Sequence, residues 1–150
     1  MTTDAPVHVE FPSEGATLRG LLFAGGSQTE SEQPLVIMAH GTSATVNMVA
    51  DRYAEVFARA GLAVLLYDHR NFGSSEGEPR QEINPWIQCR GYRDAMRFAE
   101  TLGGVDPERI ALWGDSYTGG QVVVVAATQP RVKAVIAQVP VFGAEAPTVE

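Results

Sequence analysis

Four short apolar runs, Leu35–Ala39, Leu62–Tyr67, Ile110–Trp113 and Val132–Val139, constrain this chain more than any other feature. A strand with one wet face alternates apolar and polar residues. A continuous run belongs to a strand covered on both faces, as in a parallel sheet between helices. Parallel neighbours require a crossover connection, usually a helix, and the segments between the runs have the pattern to supply one. Met48–Ala60 places Val49, Tyr53, Val56, Phe57 and Ala60 at helical spacing, with Asn47 as cap and Gly61 at the left-handed position that ends a helix. Asn84-Pro85 predicts a second helix start, Asn as cap and Pro at the first position. Ile87, Gly91, Ala95, Phe98, Ala99 and Leu102 then form one packing face, and Gly103-Gly104 stops it. Gln121–Thr128 contains four consecutive valines, a composition that favours a strand. It lies between two strand runs, however, and β-α-β alternation requires a crossover there, so a fully buried helix is expected.

At the N-terminus, Val7–Phe11 and Ala16–Phe23 read as strands joined by Pro12-Ser13-Glu14-Gly15, a turn composition. Gly25–Gln33 and Asp68–Ile83 read as loops, Val105–Arg109 as a connector, and Gly114–Gly120 as a tight glycine-flanked turn. Pro140–Glu150 has no clear periodicity. The expected fold is α/β: a mostly parallel sheet with helices on both faces, preceded by an N-terminal β-hairpin. Residues 1–150 form one domain, with no linker or repeat dividing them.

Several function classes are excluded by composition. The net charge is −7 and Lys133 is the only lysine, so no basic surface is available to neutralise nucleic-acid phosphates. No stretch is apolar enough to span a membrane. Met1–Pro6 lacks the basic and apolar regions of a secretory signal, which predicts a cytoplasmic protein. Cys89, the single cysteine, fits a reducing compartment and reads as a small helix residue. There is no dinucleotide-binding Gly-x-Gly-x-x-Gly and no phosphate-binding Gly-x-x-x-x-Gly-Lys. The three histidines are far apart in sequence, so no metal site is expected.

The chemistry lies in Trp113-Gly114-Asp115-Ser116-Tyr117-Thr118-Gly119-Gly120. A buried strand runs into a helix through one serine. Such a turn strains the serine backbone and presents its hydroxyl at the carboxyl edge of the sheet. Small neighbours are needed because strand and helix approach closely. The Tyr117 amide lies at the helix N-terminus, where it can donate to an oxyanion with support from the helix dipole. The simplest alternative for Ser116 is a helix N-cap.

This segment resembles the Gly-x-Ser-x-Gly nucleophile elbow of the α/β-hydrolases, with Thr118 where the second glycine stands and the glycines one step later. His40-Gly41-Thr42-Ser43 resembles the family's oxyanion loop. Asp68-His69-Arg70-Asn71-Phe72-Gly73-Ser74-Ser75 resembles its Asp-x-Arg-Gly-x-Gly-x-Ser loop, with Asn71, which tolerates left-handed dihedrals, in place of a glycine. The three segments follow successive strands in the family's order, at the sheet edge where ligands bind. Val105-Asp106-Pro107-Glu108-Arg109-Ile110 and the elbow look most like bacterial dienelactone-hydrolase and acetyl-esterase types. The resemblance implies a serine hydrolase that forms an acyl-enzyme on Ser116 with an ester, lactone or related carbonyl substrate. It also implies an oxyanion hole from the Thr42 and Tyr117 amides, and needs no cofactor.

A triad in this family runs Ser, then Asp or Glu, then His. No histidine follows Ser116, and the acids after it are Glu145 and Glu150. The domain therefore reads as C-terminally incomplete. The chain is a piece of a longer hydrolase, one chain of a two-chain hydrolase, or a non-catalytic binding or interaction module. His40 and Asp68 are expected to bond loop backbones, and His69 to be partly exposed. Trp86 and Trp113 read as core, and Glu76-Gly77-Glu78 as a solvated loop. Val132–Val139 would be a bare apolar edge, inviting a second polypeptide or self-association.

Overall fold

The computed structural model describes residues 5–25 and 32–143. Residues 1–4, 26–31 and 144–150 lie outside the described residues. With them lie most of the expected Gly25–Gln33 loop and both Glu145 and Glu150. The elements run β1 (Val7–Ser13), β2 (Ala16–Phe23), β3 (Gln33–Ala39), α1 (Ala50–Arg59), β4 (Ala63–Tyr67), α2 (Pro85–Ala99), β5 (Val105–Asp115), α3 (Ser116–Ala126) and β6 (Val132–Gln138). They form one six-stranded sheet in the order β1-β2-β4-β3-β5-β6. The hairpin β1–β2 is antiparallel and joins β4 antiparallel, while β4, β3, β5 and β6 run parallel.

The apolar runs occupy the parallel strands as expected. Every residue of β4 is buried, as are the last five of β3. One face packs against α2 and α3 through Tyr92, Ala95, Met96, Val122 and Val125. The other packs against α1, where Ala50, Ala54 and Ala58 let the helix lie close to Val36, Met38, Val64 and Leu66. Tyr92 ties α2 to the site edge of the sheet. Its phenol donates to Trp113 O at 2.7 Å and accepts from Ala39 N–H at 3.1 Å, tying together the ends of β3 and β5.

Local departures from expectation have local causes. α1 begins two residues late, and Asn47 does not cap it: Asn47 Oδ1 accepts from Thr45 Oγ1 instead. The cap position is Val49, at φ 80° with no side-chain cap bond. The expected ends do form: Gly61 sits at φ +91°, and Asn84 Oδ1 caps α2 by accepting from Trp86 and Ile87 N–H. The expected Val105–Arg109 connector is instead the first part of strand β5. Val105 and Asp106 pair with Gln33 and Pro34 before the register shifts, and Ile110 then pairs with Leu35. Asp106 organises the interruption, accepting from Glu108 N–H and pairing with Arg109.

Helix α3 starts at Ser116, inside the expected turn, and is only half buried. Val122 and Val125 face the core, whereas Val123 and Val124 are exposed. A helix on one face of a sheet buries one stripe, and the four valines span more than a stripe.

Candidate active site

Strand β5 ends at Asp115 and α3 begins at Ser116, with nothing between them. Asp115 is extended, at φ −114° and ψ 152°, and Ser116 turns to φ +53°. The chain therefore reverses from strand to helix at one left-handed, half-buried serine. Ser116 is the first helical residue and Asp115 holds the cap position, so Ser116 is not an N-cap. The turn closes only because its neighbours are small. A Cβ on Gly114 would stand 2.6 Å from the Thr118 carbonyl oxygen, and one on Gly119 would stand 3.1 Å from Pro140 Cα. The segment after β6 braces the turn from below, Val141 N–H donating to Ser116 O at 2.9 Å.

Thr42 lies in the loop after β3, exposed, between Gly41 and left-handed Ser43. Gly41 brings this loop against the elbow: a Cβ there would meet the Asp115 carbonyl and carboxylate at 3.1 Å. Tyr117 is the second residue of α3, so its N–H has no acceptor within the helix. Both expected amide donors thus flank the Gly41–Asp115 contact beside Ser116.

Behind the elbow is a buried polar cluster. Asp68 anchors the neighbouring loops, accepting from Val46 N–H and Ser74 N–H, each at 2.9 Å, and from Ser74 Oγ at 3.1 Å. Asn71 takes φ 75°, the left-handed conformation expected of it. His40 Nδ1 donates to Gly41 O at 2.9 Å, and its Nε2 accepts from His69 N–H at 3.3 Å. The expectation for His69 is corrected. It is 1% exposed, packed between the His40, Tyr67 and Tyr92 rings, and its Nε2 lies 3.3 Å from Thr118 Oγ1. The Thr118 hydroxyl in turn donates to His40 O at 2.6 Å. Burial pushes the His69 pKa well below its ordinary 6.5, and neighbouring His40 pushes it further; burial also lowers His40. The signal in the sequence for this cluster was Thr118 itself, a hydroxyl where the elbow motif has a glycine.

The family described as serine aminopeptidase, S33, matches residues 30–149. This chain is an α/β-hydrolase. It is 42% identical over 137 residues to thiohydrolase aneE of Aspergillus aculeatus, covering 91% of this chain and 42% of that protein. It is 38% identical to the quorum-quenching protein AidA of Acinetobacter baumannii, covering 91% and 44%. The crystal structure of the α/β-hydrolase GrgF from Penicillium sp. sh18 superposes with a TM-score of 0.84 at 34% identity, covering 91% and 46%. The chain thus spans less than half the length of these relatives.

Two cavities flank the hydrolase elbow. On the Asp115 side, about 110 Å³ is enclosed by His40, Gly41, Val49, Tyr53 and Gln138. On the Tyr117 side, a more open apolar hollow of about 300 Å³ is walled by Trp86, Tyr117, Val124, Val141 and Phe142. Trp86 is therefore not core: it is 66% exposed, projecting from the first turn of α2. Trp113 is buried as expected, and so is Cys89. Glu76 is exposed but paired, bonding Arg19 and the Thr17 amide. Among the described residues, neither buried histidine bonds Ser116, and no helix is long and apolar enough to cross a membrane.

Proposed function

We propose that this chain supplies the nucleophile and oxyanion hole of a serine hydrolase. The carrying observation is Ser116 at φ +53° on the junction of a buried strand and a helix. The substrate is an ester, thioester, lactone or related carbonyl compound; relatives named as thiohydrolases favour the thioester. Ser116 Oγ attacks the carbonyl carbon, and its proton passes to a histidine. The amides of Thr42 and Tyr117 hold the oxyanion, aided by the positive end of α3. Collapse expels the alcohol or thiol, which takes a proton from the histidine, and water then releases the acid from the acyl-enzyme. No cofactor enters this scheme. The histidine and its carboxylate come from outside the described residues.

The edge strand β6 fits a role for further polypeptide. Among the described residues it pairs with β5 alone, and Val135 and Ile136, which point to opposite faces, are each 38% exposed. Another strand, from a second polypeptide or a second copy, would complete it. We place the protein in the cytoplasm, where its lone cysteine stays reduced.

Hydrolysis of a p-nitrophenyl ester and of an acyl thioester, with wild type and Ser116→Ala, tests the reading. Without a supplied histidine, the oxyanion hole is expected to leave a residual acceleration on the order of 10³–10⁴ over water. Activity above that residual level that is unchanged in Ser116→Ala would refute the assignment.

A further inference from the structure

We propose that Thr118 is a positioning residue, clasping the elbow to the oxyanion loop so that the Thr42 and Tyr117 amides keep a fixed spacing. The inference rests on the oxyanion reading above and adds the device that holds its two halves together.

The proton arrangement follows from the donors and acceptors present. His40 Nδ1 faces the Gly41 carbonyl, which only accepts, so Nδ1 carries the proton. His40 Nε2 is then free to accept from the His69 backbone N–H. The Thr118 hydroxyl has one proton, and the His40 carbonyl takes it at 2.6 Å. The 3.3 Å contact between His69 Nε2 and Thr118 Oγ1 must therefore run from ring to hydroxyl. His69 Nδ1 is left bare, in agreement with its lack of any partner.

These bonds join the segments after β3, β4 and β5, the three strand ends that build the site. His69 directs the Thr118 hydroxyl by occupying its acceptor side, and the hydroxyl then holds the loop carbonyl two residues before Thr42. Thr118 is itself 1% exposed and lies one residue after Tyr117. A glycine at this position could make neither bond.

The test compares Thr118→Val, which keeps the shape and deletes the hydroxyl, with Thr118→Ser, which restores it. Hydrogen exchange followed by mass spectrometry reads the peptide spanning Gly41–Ala44, with β1–β2 peptides as the control for global unfolding. In Thr118→Val, exchange in the loop should rise about tenfold or more, the change expected from one lost buried hydrogen bond. The β1–β2 peptides should not change, and Thr118→Ser should return the loop toward wild type. For p-nitrophenyl acetate, Thr118→Val should lower kcat about tenfold or more with KM little changed, because the misplaced donors act on the transition state.

Unchanged loop exchange in Thr118→Val, or no recovery in Thr118→Ser, would overturn the clasp. Nitrogen NMR of the wild-type imidazoles provides a check that needs no variant to fold: His69 should be the Nε2–H tautomer, and Nδ1–H would overturn the scheme. If the loop responds while Ser116→Ala turns over as fast as wild type at rates above the residual level of the oxyanion hole alone, the clasp stands and the hydrolase reading fails.

Discussion

A serine held at φ +53° carries a backbone cost of about 1–2 kcal/mol, and the fold meets it with glycines at 114 and 119 and with the Val141 bond. The motif made this legible: a strand run, a serine and flanking glycines announce a strained turn. His69 was not legible, because nothing in its own neighbourhood in the chain announces burial. Its position depends on β4 lying beside β3, and on Thr118 arriving from β5 to receive its ring. Burial of His69 and His40 has a thermodynamic consequence. Both have folded-state pKa values lowered by burial, so the folded protein keeps them neutral where the unfolded chain takes up protons. Stability should therefore be unaffected by them above their ordinary 6.5 and fall as pH drops below it, flattening once the folded state also protonates. The slope is up to about 1.4 kcal/mol per pH unit for each histidine. Urea unfolding between pH 7.5 and 5 measures this above the range where most carboxylates titrate. A stability that does not change across that interval would contradict the buried neutral pair.

At the scale of elements, periodicity predicted α1 and α2 and misplaced two boundaries for different reasons. For α1 the chain offered Asn47 as a cap, but Thr45 engages that side chain and leaves Val49 at φ 80°. A β-branched residue is rarely found there. Val49 lines the small cavity beside the loop after β3, and local strain is often kept near functional sites. Val49→Gly, which accepts that dihedral freely, should stabilise the fold by about 1 kcal/mol, read as a raised urea midpoint with unchanged slope. Loss of stability would show that Val49 packing outweighs its backbone strain. For α3 the valine run suggested burial on all sides. Packing against one sheet face exposes Val123 and Val124 instead, and the helix begins five residues earlier, at the elbow.

At the scale of the whole molecule, the sheet ends in antiparallel β1 on one side and in parallel β6 on the other. Among the described residues β6 pairs with β5 alone, and it leaves Val135 and Ile136, one on each face, exposed. Relatives are about twice as long. The purified chain should associate through this edge, with a light-scattering mass that rises with concentration, and Ile136→Lys should reduce the rise. A monomer at all concentrations before substitution would argue against an active edge. The succession of strands and crossover helices along the chain was readable from the apolar runs, because parallel pairing demands crossovers, whereas the exchange of β3 and β4 in the sheet was not. What could pair with the β6 edge was not readable, because nothing in the described residues marks it.

The most direct test of the central claim is to treat the protein, as isolated from its native source, with an alkyl fluorophosphonate and to map the adduct by mass spectrometry. The account predicts one adduct, on Ser116, lost in Ser116→Ala. An adduct on another residue of this chain, with Ser116 left unmodified, would contradict it.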